Sequence, residues 1–214
     1  MSIKIKNSET ILFIGDSITD CYRREMSRPL GNGYVNFFSD LLTMREPAKK
    51  INIINKGISG NTIRNLRERW SDDVLINKPD WLSIKIGIND LHRYLMKTEQ
   101  SVSSEQFLEI YDQLLSITRK KLPKCKVILV EPFYLSTETS NISMRKEVLD
   151  LLPEYSQTVK KMSRKYKTKL VKTQDLFLKI LKYHQPDLLG AEPVHPYPIG
   201  HLMIAEWIYS ALSQ

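Results

Sequence analysis

Cysteines and long apolar runs are scarce in this sequence. Its only two cysteines, Cys21 and Cys125, follow no metal-ligand spacing, which favours a reducing compartment over a disulfide-stabilised secreted protein. No apolar run approaches the roughly 20 residues that span a bilayer. Residues 1–7 lack the apolar core of a signal peptide. These absences predict a soluble, cytoplasmic protein with no membrane partner.

The spacings of common metal and dinucleotide sites are also missing. The histidines show no His-x-x-x-His pair, and the cysteines show no Cys-x-x-Cys pair. Gly15, at the end of the first predicted strand, does not form the Gly-x-Gly-x-x-Gly pattern of a dinucleotide-binding turn. We therefore predict no metal site and no dinucleotide site.

Positive charge predominates, with a formal net charge of +8 at pH 7. Many of the basic residues lie near the ends of two predicted helices, where cations suit the helix dipole. They are Lys120, Lys121, Lys124, Lys126, Lys160, Lys161, Arg164, Lys165, Lys167 and Lys169. Because no signature of an RNA- or DNA-binding module is present, we predict no nucleic-acid partner. The charge would instead favour anionic substrates or polysaccharides carrying uronic acids.

Strand-like apolar runs alternate with helical patterns along the chain, without an internal repeat or a low-complexity linker. The predicted strands are 11–14, 51–54, 81–86, 127–130 and 170–171. This alternation predicts an α/β fold with a parallel sheet and right-handed crossovers. Because 214 residues suit one domain of ordinary size, we predict a single domain over residues 1–214.

Start and stop signals define the helices between these strands. Thr62 can cap a helix that runs to Val74, and Ser103 begins a capping box for the next helix. A long helical region follows over 144–166, and Pro153 predicts a bend or break within it. The other predicted helices begin at Tyr34, span 175–181 and span 199–212, and the predicted loops are 20–33 and 185–198.

The first predicted strand ends in Gly15, Asp16 and Ser17. Its continuous apolar run, 11–14, is typical of a strand buried on both faces of a parallel sheet. Because such sheets keep their ligands at the carboxyl edge, Ser17 is a candidate nucleophile. A serine after Gly-Asp is also ordinary helix-cap or turn chemistry, and on this tripeptide alone that interpretation is the commoner one.

Three later segments contain the other groups that a serine nucleophile needs. Ester hydrolysis requires a base for the serine proton, a group that orients the base, and donors for the oxyanion. His195 is the candidate base, and Glu192 is the candidate orienting acceptor. The candidate oxyanion donors are the backbone N–H groups of Ser17 and Gly60 and the side-chain amide of Asn89. Taken singly, Gly60 and Asn89 could be turn residues, and His195 could be a loop histidine.

Together these segments resemble the four sequence blocks of the SGNH or GDSL hydrolases. The matching blocks are Gly15-Asp16-Ser17-Ile18-Thr19, Gly57-Ile58-Ser59-Gly60-Asn61-Thr62, Gly87-Ile88-Asn89-Asp90 and Val194-His195-Pro196. One branch, the cytoplasmic acetylesterases that act on xylo-oligosaccharides, is similar in further segments, which are 16–21, 31–35, 69–70 and 132–134. The resemblance implies a flavodoxin-like three-layer sandwich with a five-stranded parallel sheet, a homo-oligomer and no cofactor.

One position departs from the family pattern. The family usually has aspartate three residues before the catalytic histidine, whereas this chain has Glu192 before His195. Glutamate serves as the third triad member in other serine hydrolases, but the loop has to absorb its extra methylene group. If the loop does not, His195 is misoriented and the protein is weakly active or inactive.

The resulting hypothesis is a serine esterase that removes small acyl groups, above all acetyl, from a carbohydrate such as an acetylated xylo-oligosaccharide. Two alternatives stay open: the same triad acting on a lysophospholipid, thioester or aryl ester, and a sugar-binding protein on a degenerate hydrolase scaffold. Candidate substrate contacts lie in the loops expected around the site, although aromatic residues at sheet ends are as often part of the core. They are Asp16, Tyr22, Arg23, His92, Arg93, Phe133, Tyr134 and Tyr197.

Overall fold

Five parallel strands form one sheet in the computed structural model, which describes residues 2–214. The strands are β1 (Thr10–Gly15), β2 (Asn52–Gly57), β3 (Trp81–Lys85), β4 (Lys126–Val130) and β5 (Lys169–Val171). Their order is β2-β1-β3-β4-β5, which is the doubly wound, flavodoxin-like order. The predicted α/β class and five-stranded parallel sheet are therefore confirmed.

Eight α-helices flank this sheet. They are α1 (Ser17–Asp20), α2 (Tyr34–Arg45), α3 (Ile63–Glu68), α4 (Ile88–Leu95), α5 (Ser104–Lys121), α6 (Met144–Tyr166), α7 (Thr173–Leu181) and α8 (Pro198–Ser213), among residues 2–214. Helix α2 packs against α8, and α5 packs against α6. Every residue of β3 is buried, as expected of a central strand covered on both faces.

The end of β1 fits closely against its neighbour. Gly15 pairs with Gly57 of β2 on one side and with Lys85 of β3 on the other. A Cβ atom on Gly15 would lie 2.2 Å from the carbonyl oxygen of Lys85, so only glycine allows this approach. The close fit brings the carboxyl ends of three strands together, at the point where the strand order reverses.

Several element boundaries differ from the sequence predictions. The predicted helix from Thr62 to Val74 is divided, because α3 ends at Glu68 and a π-helical turn follows over Ser71–Leu75. Of the bend or break predicted at Pro153, the break is wrong, since α6 continues through this residue. Proline's φ is compatible with a helix, and the buried residues on both sides of Pro153 hold the two halves in one helix. The short helices α1 and α4 were not predicted.

The thiols, the possible metal ligands and the helix lengths can be described for residues 2–214. Cys21 and Cys125 are free thiols. No group of three or more histidine, cysteine, aspartate or glutamate side chains is arranged to hold a metal ion within residues 2–214. Over the same residues, no helix has both the length and the apolar character needed to cross a bilayer.

Glu131, directly after β4, is a fully buried carboxylate. Lys160 Nζ lies 3.7 Å away, and neither carboxylate oxygen has a hydrogen-bond partner among residues 2–214. Burial raises the pKa of Glu131 to about 7, although the Lys160 charge opposes the shift. An unfolded glutamate has a pKa of about 4.3. At a pH between about 4.3 and 7, the folded chain therefore holds a proton at Glu131 that the unfolded chain has released.

This difference predicts that Glu131 makes stability fall as the pH rises from about 4.5 to 7, by up to ~1.4 kcal/mol per pH unit. Replacing the carboxyl by an amide, Glu131→Gln, should remove this contribution. Urea unfolding of both proteins at pH 5, 6 and 7 measures it, with the exposed Glu99→Gln variant as the control. Parallel stability curves for wild type and Glu131→Gln would contradict the prediction.

Candidate active site

Ser17 and His195 are in direct contact at the carboxyl edge of the sheet. Ser17 is the first residue of α1, and His195 lies in the loop before α8. Ser17 Oγ lies 2.8 Å from His195 Nε2, which is hydrogen-bond distance. The two residues are 178 positions apart in the chain, so only the fold brings them together.

Glu192 holds the other side of the His195 ring. Its Oε1 lies 2.5 Å from His195 Nδ1 and accepts the His195 backbone N–H at 2.7 Å. Its Oε2 accepts the Val194 N–H at 2.8 Å. Burial alone would raise the pKa of Glu192, but these hydrogen bonds and the His195 ring outweigh it and lower the pKa. The carboxylate is thus an acceptor for the Nδ1 proton, and His195 Nε2 is left to accept from Ser17.

The extra methylene of Glu192 fits within this loop. The carboxylate accepts hydrogen bonds from the backbone N–H groups of residues 194 and 195, and it also contacts the imidazole of His195. A longer side chain therefore reaches the histidine without moving it away from the serine.

Two backbone N–H groups near Ser17 have no hydrogen-bond acceptor among residues 2–214. They belong to Ser17 and Gly60, the two predicted oxyanion donors. Gly60 has a φ of +77°, a left-handed conformation that favours glycine, and a Cβ there would meet no protein atom within 4 Å. Asn89 Nδ2 donates to the Asn61 carbonyl at 3.0 Å, and a primary amide has a second hydrogen available for an oxyanion.

Arg69 joins the loops that carry these groups. Its guanidinium donates to the carbonyls of Gly15 at 3.2 Å and Lys56 at 2.8 Å, and to Asn61 Oδ1 at 2.8 Å. It also pairs with Asp73. In the sequence, Arg69 is only a point of resemblance, because its contacts come from the end of β1 and from the end of β2 with the loop that follows it.

Three of the predicted substrate contacts are used within the protein. Asp16 is fully buried and accepts the Ile18 N–H at 3.0 Å, so the expectation that it touches substrate is wrong. Arg23 Nε donates to the Gly57 carbonyl at 2.7 Å. Arg93 donates to the Gly60 carbonyl at 3.0 Å. Both arginines therefore support the loop from β2 rather than projecting freely into solvent.

The predicted aromatic contacts divide into buried and exposed residues. Phe133 is fully buried, and Tyr134 is 6% exposed. Tyr134 packs edge-on against His92, with ring centroids 5.7 Å apart. Tyr22 and Tyr197 are exposed, at 53% and 45% respectively. The sequence allowed aromatic residues at sheet ends to be either substrate contacts or part of the core. Phe133 is part of the core.

A cavity of about 530 Å³ opens beside Ser17 and His195. Tyr22, Tyr197 and Glu25 are among its lining residues. Tyr22 has a φ of +59° and follows another left-handed residue, a conformation that is uncommon outside glycine. Among residues 2–214, no lysine or arginine lines this cavity. The positive net charge of the protein is therefore not concentrated beside the candidate nucleophile.

A second histidine, His201, also borders the cavity. Burial lowers its pKa to about 4, with smaller contributions from Lys85 and His195, so it is uncharged at neutral pH. Its Nδ1 accepts the Tyr34 N–H at 3.2 Å, and its Nε2 lies 3.5 Å from Cys21 Sγ. His201 is thus occupied by structural contacts, whereas His195 faces the serine.

Comparison with known proteins gives a family match and a curated relative that agree with each other. The model of the GDSL-like Lipase/Acylhydrolase family matches residues 13–203. A curated acetylxylan esterase from Geobacillus stearothermophilus is 38% identical over 231 residues, covering 97% of this chain and 100% of that protein.

The similar solved structures include an acetylxylan esterase, as the sequence relatives do. Axe2, an acetylxylan esterase from Geobacillus stearothermophilus, is similar with a TM-score of 0.87 and 36% identity, covering 99% of this chain and 97% of that one. LAE5, an alpha/beta hydrolase enzyme from the metagenome of Lake Arreo, Spain, has a TM-score of 0.88 and 28% identity, covering 99% and 98%. Catalytic mutants of Axe2 in a serine, an aspartate or a histidine are also similar, with TM-scores of 0.88 or 0.89.

The resemblance inferred from the four sequence blocks is confirmed by these matches. The family model covers most of the chain, and the curated relative covers nearly all of it. The aspartate and histidine replaced in the Axe2 mutants are three positions apart, as Glu192 and His195 are here. This chain belongs to the GDSL-like lipase/acylhydrolase family and is a GDSL-type esterase.

Proposed function

We propose that this chain is a serine esterase that removes acetyl groups from a carbohydrate, with Ser17, His195 and Glu192 as its triad. The observation that carries the proposal is the continuous contact from Ser17 Oγ to His195 Nε2 at 2.8 Å and from His195 Nδ1 to Glu192 Oε1 at 2.5 Å. This is the geometry in which a histidine can take a serine proton while a carboxylate orients the ring.

The reaction proceeds through an acyl-enzyme. Ser17 Oγ attacks the ester carbonyl carbon while His195 Nε2 takes the Oγ proton, and Glu192 stabilises the imidazolium that forms. The oxyanion accepts hydrogen bonds from the N–H groups of Ser17 and Gly60 and from the Asn89 amide. Collapse breaks the bond to the sugar oxygen, which takes the proton from His195.

Water completes the cycle. His195 takes a proton from the attacking water, whose oxygen adds to the acyl carbon of the acyl-enzyme. The second tetrahedral intermediate collapses by breaking the bond to Ser17 Oγ, which recovers a proton from His195. The products are acetic acid and the sugar hydroxyl, so the atoms and charges balance without a metal or cofactor.

A neutral carbohydrate suits the cavity beside the triad. Tyr22 and Tyr197 offer flat apolar faces with polar edges, which pack against sugar rings. Glu25 and Glu192 make the lining acidic, and no cation among residues 2–214 balances them there. The expectation from the sequence that the positive net charge favours uronic acids therefore does not apply to this cavity. The acetylxylan esterase relatives support the same substrate class.

The test is acetate release from acetylated xylo-oligosaccharides, alongside p-nitrophenyl esters of increasing acyl length. We expect release from the oligosaccharides and hydrolysis that declines from acetyl to octanoyl. Activity that rises with chain length would favour a lysophospholipase or thioesterase instead. Saccharide binding without turnover of any ester would favour the sugar-binding alternative. The homo-oligomer and the absence of a nucleic-acid partner stay predictions.

Asn89→Ala should lower kcat by roughly 10²- to 10³-fold, because an uncharged donor aimed at the oxyanion is lost. The measurement is kcat and KM for p-nitrophenyl acetate, with the melting temperature as a check of folding. Asn36→Ala is the matched control, since Asn36 donates to Asp40 on the surface of α2. An unchanged kcat in folded Asn89→Ala would remove Asn89 from the mechanism.

Tyr197→Ala should raise KM for an acetylated xylo-oligosaccharide by roughly 3- to 10-fold, the effect of losing one aromatic packing contact. Hydrolysis of methyl acetate, which has no ring to pack, should stay unchanged. Tyr183→Ala is the control, because Tyr183 is 83% exposed and does not line the cavity. Equal changes for both substrates would contradict a sugar contact at Tyr197.

A further inference from the structure

Lys85, the last residue of β3, is a fully buried lysine. Its Nζ lies 3.8 Å from Oδ1 of Asp16, which is also fully buried, and 4.8 Å from the ring centroid of Phe133. Neither Lys85 Nζ nor Asp16 Oδ2 has a hydrogen-bond partner among residues 2–214. A buried ion pair with so few hydrogen bonds costs stability, and an apolar pair of similar volume is often tolerated better. A role outside stability would account for this pair.

Asp16 holds the turn that carries the proposed nucleophile. Its carboxylate accepts the Ile18 N–H at 3.0 Å, and its carbonyl accepts the N–H groups of Thr19 at 3.1 Å and Asp20 at 2.9 Å. Ser17 lies between Asp16 and Ile18 in the chain, so the hydrogen bond from the Ile18 N–H to the Asp16 carboxylate spans it. Helix α1 is only four residues long, and so short a helix has little stability of its own. The position of Ser17 therefore depends on the Asp16 cap.

Lys85 cannot act on the substrate directly. Its side chain has no exposed surface, and it does not line the cavity beside Ser17 and His195. Its nearest charged partner is Asp16. Asp16 is therefore the contact through which Lys85 can affect the position of Ser17.

We propose that Lys85 is a positioning residue for Ser17, because its ammonium group holds the buried Asp16 carboxylate in place as the cap of α1. The inference rests on the proposed role of Ser17 as nucleophile. Without Lys85, the carboxylate would be a buried charge without a counter-charge. It would then turn away from its site and lose its hydrogen bond to Ile18. The Ser17 Oγ and N–H would move with it.

A displaced Ser17 would weaken contacts that form in the transition state more than contacts with the bound substrate. Loss of Lys85 is therefore expected to lower kcat with little change in KM.

The first test compares Lys85→Met with wild type. We expect the rate constant for labelling of Ser17 by a fluorophosphonate, and kcat for p-nitrophenyl acetate, to fall roughly 10- to 100-fold, the scale of a small misplacement of a reacting group. KM should stay within about twofold, since the interaction that is lost acts in the transition state and not in substrate binding. Lys126→Met is the matched control, because Lys126 also lies over an aromatic ring, at 4.7 Å from that of Trp81, but is exposed. It should keep the wild-type rates.

The second test combines Lys85→Met with Asp16→Asn. Asparagine can still cap α1 but needs no counter-charge, so the double variant should have a higher kcat than Lys85→Met alone. Within the Asp16→Asn variant, the further change Lys85→Met should cause no loss. Neither Asp16→Asn nor the double variant has an Asp16 carboxylate without a counter-charge. Comparing these two proteins therefore tests the inference even if Lys85→Met alone does not fold.

Three results would overturn the inference. One is a folded Lys85→Met protein that labels and turns over like wild type with only a lower melting temperature. Another is the same loss of kcat from Lys85→Met with or without Asp16→Asn, and the third is a change in KM alone. Failure of the proposed function would look different, since wild type itself would then show no labelling of Ser17, and the inference would fall with it.

Discussion

Ser17→Ala is expected to lower ester hydrolysis by roughly 10³-fold or more, the largest effect of any single change considered for this chain. The substitution removes the oxygen that attacks the carbonyl carbon, and no other hydroxyl occupies its position against His195 Nε2. The folded structure should be retained, because Ser17 is at the surface of the cavity and its Oγ bonds only to His195 among residues 2–214. The remaining rate would reflect substrate binding and the oxyanion donors.

The measurement is kcat/KM for p-nitrophenyl acetate and for an acetylated xylo-oligosaccharide, with fluorophosphonate labelling of the same samples. Ser210→Ala is the matched control, since Ser210 is an exposed serine of α8 whose Oγ donates only to Glu206. Wild-type turnover or labelling by Ser17→Ala would show that another residue is the nucleophile.

Glu192→Gln is expected to lower kcat by roughly 10²- to 10⁴-fold, as when the orienting carboxylate of a serine triad becomes an amide. Glu192 accepts three hydrogen bonds, from two backbone N–H groups and from His195 Nδ1. An amide retains only one oxygen, so the amide nitrogen must face a donor, and His195 is free to adopt the tautomer that cannot accept the Ser17 proton. KM should change little, because the loss is in the transition state.

Glu192→Asp is the informative partner of this variant. Aspartate keeps the charge and is the residue replaced in a catalytic mutant of Axe2, but it is one methylene shorter than the side chain for which this loop is built. We expect it to retain more activity than Glu192→Gln and less than wild type. If Glu192→Gln has the wild-type kcat, the carboxylate has no part in orienting His195. If the wild type is inactive and Glu192→Asp is active, the glutamate is the defect and the sugar-binding alternative gains support.

Much of the site could be predicted because its chemistry is carried by local patterns. The apolar run before Gly15 identifies a buried strand, and a strand of that kind ends at the ligand-binding edge of a parallel sheet. Glu192 and His195 are three residues apart, so their contact requires only a tight loop. The confirmed capping box at Ser103 is local in the same way, since both of its hydrogen bonds join residues 103 and 106.

The break predicted at Pro153 shows where a local rule loses to packing. Proline removes one backbone hydrogen bond from a helix, and that cost is small beside the burial of residues on both sides of it along α6. The division after α3 has the opposite origin. Arg69 binds the ends of β1 and β2 and pairs with Asp73, and the chain adopts a π-helical turn next to it.

The sequence by itself determined the α/β class, the order of the site residues and the candidate triad, because hydrophobic periodicity and short motifs act over a few residues. Only the tertiary structure decided which polar side chains reach the cavity. Asp16 is buried and caps α1, and Lys85 approaches it from a neighbouring strand, although the two residues are 69 positions apart in the chain. Burial and long-range charge pairing depend on which surfaces meet after folding, so no pattern within either segment contains them.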